Sequence, residues 1–328
     1  MQKLKDIGER NAIALVLRHL KIMPNMPIPF GDDVSAYPIG DELLILKTDM
    51  LVDKTDVPRG MSLWHAARKA IVMNVSDFAA KGVKPVAAMV SLGLPKTITV
   101  SELEDIAKGL DAGASEYGIY ILGGDTNEAS DLIISISMFG LAHKNSVILR
   151  SGAKPGDIVA VTGFFGKTSL GLKILLENME VPEKIRNIFI DAVLMPRARL
   201  NEGLALKASG AATAAIDSSD GLAWSLYEIS VASNVGFIVD NPPIAPEVRE
   251  YAEASGLDPY KLAFYGGEEY ELVVTVKPEL WDLAEKALEN IGSRLIKIGV
   301  ATAEKGIKLN VNGKVVDLEP RGWEHFKH

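Results

Sequence analysis

The residues best placed to do chemistry in this chain are aspartates, and they stand where apolar segments stop. Asp49 closes the run Leu43–Thr48. Asp125 follows Ile119–Leu122 through Gly123 and Gly124. Asp217 closes Ala212–Ile216, and Asp220 comes three residues later. Asp32 and Asp33 lie in an irregular segment behind Pro24, Pro27 and Pro29. Asp77 differs: it sits inside a helical pattern between Val75 and Phe78-Ala79-Ala80, a stretch that reads as buried. A buried carboxylate is costly unless it is paired or bound to a metal.

Taken singly, each acid has a plain structural explanation. Asp220 suits the N-cap of a helix starting near Gly221. Asp125 suits a Gly-Gly turn. Asp32 and Asp33 suit a solvated loop, and Asp77 has Arg68 and Lys69 as candidate ion-pair partners two helical turns back. Taken together they ask for more. Two unit charges ~4 Å apart interact by about 4 kcal/mol at an effective dielectric near 20. Carboxylates converging on one cleft therefore require cations. Oxygen donors without His or Cys select a hard ion, Mg²⁺ before Zn²⁺, and Mg²⁺ characteristically bridges to phosphates. The pattern points to phosphoryl transfer.

Other chemistries fit less well. Gly163-Phe164-Phe165-Gly166-Lys167-Thr168 opens a helix after a strand, but Val161 stands where a Walker A loop needs its first glycine. It reads as a tight strand-to-helix turn, with a phosphate contact as the lesser alternative. His19, His65, His143, His325 and His328 form no catalytic pairing, and no Gly-x-Ser-x-Gly elbow occurs.

The elements that must position these residues alternate between strand and helix patterns. Leu43–Lys47, Val86–Leu94, Ile119–Leu122 and Leu132–Leu141 read as strands in the first half. Ser62–Lys81 is an apolar helix stopped by Gly82, and Ser101–Tyr117 is a helix with a Ser101/Glu104 capping-box pattern. After the turn-rich Ser151–Asp157 a fresh pattern begins. Ile158–Thr162, Ala212–Ile216, Phe237–Val239, Glu271–Val276, Leu295–Ile298 and Ile307–Val311 read as strands, with a helix from about Lys167 and others between. The expected division is near Gly152, into domains 1–152 and 153–328, each mixed α/β or α+β.

Composition narrows the classes further. The 328 residues are 48% hydrophobic and 24% charged, enough for a large ordinary core. Net charge is −8 without a Lys/Arg cluster, which argues against nucleic acid. Cysteine is absent, which removes disulfides, thiolate metal sites and cysteine nucleophiles. No apolar run reaches the ~18 residues of a membrane span. Residues 1–10 lack the apolar stretch of a secretory signal, so a cytoplasmic location is expected.

Seven ordered blocks resemble the thiamine-monophosphate kinase family of the aminoimidazole-ribonucleotide-synthetase-like superfamily. They are Gly31-Asp32-Asp33; Thr48–Val52; Asn74–Ala80; Gly123–Thr126; Arg150–Ala153; Ile216–Leu222; and Gly266–Leu272. The C-terminal Gly322–Phe326 also looks like the family's ending. The resemblance implies an N-terminal α+β domain whose sheet pairs across a homodimer, a C-terminal α/β domain, and nucleotide bound between them. It implies direct in-line phosphorylation of thiamine monophosphate to thiamine diphosphate by ATP, with several Mg²⁺ ions and no phosphoenzyme. Carried over by position, Asp33, Thr48, Asp49, Asp77, Asp125, Asp217 and Asp220 would hold metal. Gly124, Asp125, Arg150 and Ser219 would contact ATP, and Glu268 and Trp323 would face the thiamine moiety.

Two positions depart from the family. Asp56, in Asp53-Lys54-Thr55-Asp56-Val57, stands where bacterial members carry a substrate-contacting His. Lys47 stands where the family usually has a small hydroxyl residue, so that a metal there would have to use the Lys47 carbonyl. Selenophosphate synthetase relies on an N-terminal Cys or selenocysteine and a Gly-rich tail, the hydrogenase-maturation branch needs a C-terminal Cys, and this chain has no Cys; the purine-biosynthesis members carry a different acidic block. The remaining alternatives are a kinase for another phosphorylated acceptor, motivated by Asp56, and a non-catalytic nucleotide-binding protein.

Overall fold

The computed structural model describes residues 3–311 and 313–327, so the His328 of the terminal histidine pair lies outside the described residues. In chain order the first elements are α1 (Leu4–Leu17), β1 (Ser35–Ile39), β2 (Glu42–Val52), α2 (Asp53–Asp56), α3 (Leu63–Ala80), β3 (Pro85–Leu94), α4 (Val100–Tyr117), β4 (Tyr120–Glu128) and β5 (Ile133–His143). There follow β6 (Ile158–Val161), α5 (Lys167–Glu177), α6 (Glu183–Leu194), α7 (Leu200–Ser209), β7 (Ala212–Asp217), α8 (Leu222–Ser233) and β8 (Gly236–Val239). The last are α9 (Pro246–Ser255), α10 (Pro259–Tyr265), β9 (Leu272–Val276), α11 (Trp281–Glu289), β10 (Ile296–Thr302), β11 (Ile307–Val311) and β12 (Lys314–Asp317).

Two sheets result. The first is five-stranded in the order β1-β2-β5-β3-β4, antiparallel except for the parallel β3–β4 pair. The second is seven-stranded in the order β12-β11-β8-β10-β6-β9-β7. Helix α3 joins them. Ser62 caps it by accepting from the His65 amide, and Gly82, in the left-handed region, ends it. Fourteen of its eighteen residues are buried, because it packs on α4, under β2 and β5, and against α7 and β7. Close approach of α7 depends on Gly203, where a Cβ would lie 1.9 Å from the Ala79 carbonyl oxygen. One apolar core runs from Ile45 and Ile136 through Ile71 and Val75 to Ala215, Leu272 and Val274. A second fills the outer half of the larger sheet around Phe165, Leu170, Phe237 and Ile298.

Several expectations are corrected. The cap of α4 is Thr99, paired with Glu102, and not Ser101 with Glu104. Gly123-Gly124 is not a turn: β4 runs through it to Glu128, and Asp125 lies within the strand opposite Ser91. Gly124 is required there, since a Cβ would fall 1.7 Å from the Val90 carbonyl oxygen. Asp49 likewise lies inside β2 and does not end it. Gly221 is the N-cap residue of α8, and Asp220 does not cap that helix. Strands β1 and β12 and helix α1 were not anticipated; α1 breaks at Gly8, and its Ile13 and Val16 stay exposed, so it lacks a clean apolar stripe. Among the described residues no helix is long and apolar enough to cross a membrane.

Candidate active site

The buried helix α3 carries an unusual number of polar side chains, and each is directed at a different neighbour. Arg68 reaches Glu116 and the Pro196 carbonyl. Lys69 meets Glu268 and, at 2.9 Å, the Asp56 carbonyl. Asn74 accepts from the Asp49 amide at 3.1 Å. Ser76 donates to Asp217 at 2.7 Å. Lys81, at the helix end, contacts Asp32 at 2.6 Å, Asp33 at 2.7 Å and the Ala215 carbonyl at 2.9 Å. Asp77 is therefore not paired within its own helix with Arg68 or Lys69. Its partner is Lys47 on β2, 3.0 Å away, which also lies 3.1 Å from Asp49.

At the centre of this arrangement, Asp33, Asp77 and Asp217 each bring a carboxylate oxygen within 4.8 Å of the other two, and all three are buried. They arrive from three unrelated places: the loop before β1, the middle helix, and the end of β7. Asp32 and Asp33 are thus not a solvated pair. Arg150 donates through Nε to Asp33 at 2.8 Å, and its amide donates to Asp32 at 3.0 Å.

Electrostatics at the trio are uneven. Burial pushes Asp77 well above the ordinary carboxylate range; Lys47 opposes this, while Asp49, Asp217 and Asp33 add to it. Burial, with the charge of Asp33, pushes Asp217 up to about 7 against the hydrogen bond from Ser76. Asp33 moves the other way: burial opposes its charge, but Lys81 and Arg150 outweigh it and hold its carboxyl below the ordinary value. A cation in the trio would relieve the first two. Oxygen donors alone, with no His or Cys among the three, fit a hard divalent ion.

The remaining residues of interest fall around the trio in different ways. Asp220 lies beyond Asp217, beside Glu9, Arg10 and His325, and burial pushes it up to about 6. With Ser219, Asp217 and Arg150 it lines a cavity of about 380 Å³ that Arg10, Phe30 and Trp224 line as well. Thr48 and Lys47 line a second cavity of about 570 Å³, with Asp33, Met89, Leu122 and Phe139. Thr48 shares a sheet face with Ser137, whose hydroxyl donates to it at 3.3 Å. Gly124 and Asp125 stand apart from the trio, exposed on the edge strand β4. Asp56 spends its carboxylate on the Val52 amide at 2.7 Å, yet its backbone carbonyl and Glu268 share Lys69. Glu268 adopts a left-handed backbone, φ 65°, and its amide donates to the Ser219 carbonyl. The Trp323 amide donates to the Asp220 carbonyl at 3.0 Å, and its ring lines a cavity of about 490 Å³ with Gly267 and Lys261.

Sequence reasoning did not assign Ser76, Lys69 or Lys81. Lys69 and Lys81 carry a signal, since charged residues inside an apolar helical run need buried partners. The Walker-like loop is explained too. Glu269 accepts from the Gly166 and Thr168 amides at 2.6 and 3.3 Å, so the chain's own carboxylate occupies the N-terminus of α5 where a phosphate would otherwise bind.

Comparison with known proteins matches this layout. Residues 31–142 match the family model of AIR synthase related protein, N-terminal domain, and residues 154–312 that of its C-terminal domain. Thiamine-monophosphate kinase of Pyrococcus horikoshii is 40% identical over 90% of this chain and 91% of its own length. That of Nitrosopumilus maritimus is 38% identical over 90% and 93%. The solved structure of AaThiL complexed with AMPPCP and TMP superposes with a TM-score of 0.85 at 29% identity, covering 99% of both chains. With both domain models and nearly full-length relatives in agreement, the chain belongs to the thiamine-monophosphate kinase family.

Proposed function

We infer that this chain transfers the γ-phosphoryl group of ATP to the phosphate of thiamine monophosphate, forming ADP and thiamine diphosphate. The observation that carries the reading is the buried Asp33–Asp77–Asp217 trio at the junction of the two sheets. The family membership and the AMPPCP and TMP in the AaThiL complex support the choice of substrates.

In this reading Asp33, Thr48, Asp49, Asp77, Asp125, Asp217 and Asp220 hold Mg²⁺. When bound, Mg²⁺ neutralises phosphate charge so that two anionic groups approach each other. Gly124, Asp125, Arg150 and Ser219 contact ATP. Arg150 brings a guanidinium, always charged and suited to phosphate oxygens, to the wall of the cavity it shares with Ser219. Glu268 and Trp323 face the thiamine moiety, whose cationic ring suits a carboxylate and an aromatic face. Asp56 borders the same end of the cleft through Lys69.

No protein nucleophile is needed. Cysteine is absent, and among the described residues no histidine hydrogen-bonds to the trio. The chain's own residues bind, orient and screen charge, which is the main demand of in-line phosphoryl transfer. With ATP labelled in its γ-phosphate, label should appear in thiamine diphosphate without a labelled protein intermediate. A kinetically competent phosphoprotein would contradict direct transfer.

The same reading makes the chain a cytoplasmic homodimer, divided near Gly152 and joined through the smaller sheet. Its support is the sheet face turned away from α3, where Tyr37, Met50, Met89 and Leu141 are each about half exposed. Sedimentation at micromolar concentration tests this, and a monomer would contradict it.

A further inference from the structure

The polar pocket around α3 holds five carboxylates, Asp32, Asp33, Asp49, Asp77 and Asp217, against three cations, Lys47, Lys81 and Arg150. The protein thus supplies much of the positive charge itself. Lys47 is the most telling of the three. Its ammonium lies 3.1 Å from an Asp49 oxygen and 3.0 Å from an Asp77 oxygen, bridging two carboxylates as a divalent ion would.

An ammonium and a metal cannot share that gap. Mg²⁺ sits about 2.1 Å from its oxygen ligands, closer than the ammonium does, so an ion bound to the same two oxygens would crowd the Lys47 ammonium and be repelled by its charge. Displacing the ammonium is also unfavourable. Lys47 belongs to the interior of β2, held in register opposite Met138, and its side chain is only 19% exposed. Moved away from Asp49 and Asp77 it would lose both partners with little solvent to replace them. Mg²⁺, moreover, gives up its water reluctantly.

We propose that Lys47 is a built-in cation of the acidic pocket. Its ammonium permanently fills the Asp49–Asp77 gap in place of a divalent ion, and the chain binds one metal fewer than it would with a small uncharged residue at that position. The second carboxylate oxygen of Asp49 and the trio's remaining oxygens stay open to metal. This inference rests on the reading of the pocket as a metal site, and the test separates the two.

Mn²⁺ serves as the probe, with free ion counted by electron paramagnetic resonance at saturating non-hydrolysable ATP analogue. Lys47→Ser is expected to bind one Mn²⁺ per chain more than native protein, and Lys47→Arg the same number as native. In chelator, Lys47→Ser should melt below native and recover on adding Mg²⁺. Equal, non-zero counts in native and Lys47→Ser would overturn the inference while leaving the metal site intact. No bound Mn²⁺ in either would overturn the metal reading and the inference with it. Should Lys47→Ser fail to fold, acetylation footprinting of native Lys47 decides. Protection unchanged by Mn²⁺ supports a resident ammonium, and exposure on adding Mn²⁺ overturns it.

Discussion

Ser76 donates a 2.7 Å hydrogen bond to Asp217, joining the middle of the helix under the smaller sheet to the last residue of a strand in the larger one. Both side chains are buried. The contact fixes one carboxylate of the trio to the element carrying another, Asp77. Ser76→Ala is expected to cost about 1–3 kcal/mol of stability, the range for a buried hydrogen bond to a charged group. It should also lower kcat by roughly 10- to 100-fold through misplacement of Asp217. Thermal melts and steady-state rates check both, and a variant native-like in both would show that the bond is incidental.

Removal of single carboxylates separates stability from chemistry. Asp49→Asn and Asp125→Asn should fold normally, as judged by circular dichroism. Each should lose turnover by roughly 10²- to 10³-fold or more, the scale for removing a group that stabilises transition-state charge. Asp125 is the sharper test, because it lies exposed on β4 and outside the trio. Rates near native in both variants would contradict the assigned metal set.

Trp323 is 40% exposed and sits on a backbone tied to Asp220, beside the loop that carries Glu268. Trp323→Ala should raise the KM for thiamine monophosphate by roughly tenfold, from lost stacking on a cationic ring. The KM for ATP should change less. The opposite order would remove Trp323 from the acceptor side.

Glu269 gives a pH signature remote from the metal residues. Burial pushes its carboxyl from an ordinary 4.5 up to about 7. Because the folded-state value is the higher one, its contribution to stability is complete below about pH 4.5 and fades as pH rises through 7. Glu269→Gln stays neutral throughout. Relative to that variant, native protein should lose stability on the order of 2 kcal/mol between pH 5 and 8, allowing for partial exposure. Parallel stability profiles would show that Glu269 titrates normally.

Local patterns made much of this molecule legible and long-range pairing made the rest illegible. The limits of α3 could be read from Ser62 and Gly82, and the burial of Asp77 from Val75 and Phe78 on either side. Its partner could not be read, because Lys47 lies on another element and nothing in either segment encodes the contact. Lys69–Glu268 is likewise separated by 199 positions. The cap of α4 was misplaced because Thr99/Glu102 and Ser101/Glu104 carry the same signature two residues apart, and only the backbone chooses between them. Gly123-Gly124 reads as a turn in isolation; the parallel pairing with β3 overrides that tendency and extends the strand. The departure at Lys47 was visible, but that its ammonium faces Asp49 and Asp77 appears only in three dimensions.

The most direct test of the central claim is product formation. Purified protein is incubated with ATP, Mg²⁺ and thiamine monophosphate, with free thiamine as a parallel acceptor, and thiamine diphosphate is quantified. Thiamine diphosphate formed from the monophosphate alone, and lost when Mg²⁺ is chelated, is the expected result. No thiamine diphosphate from protein that still binds ATP would contradict the assigned acceptor.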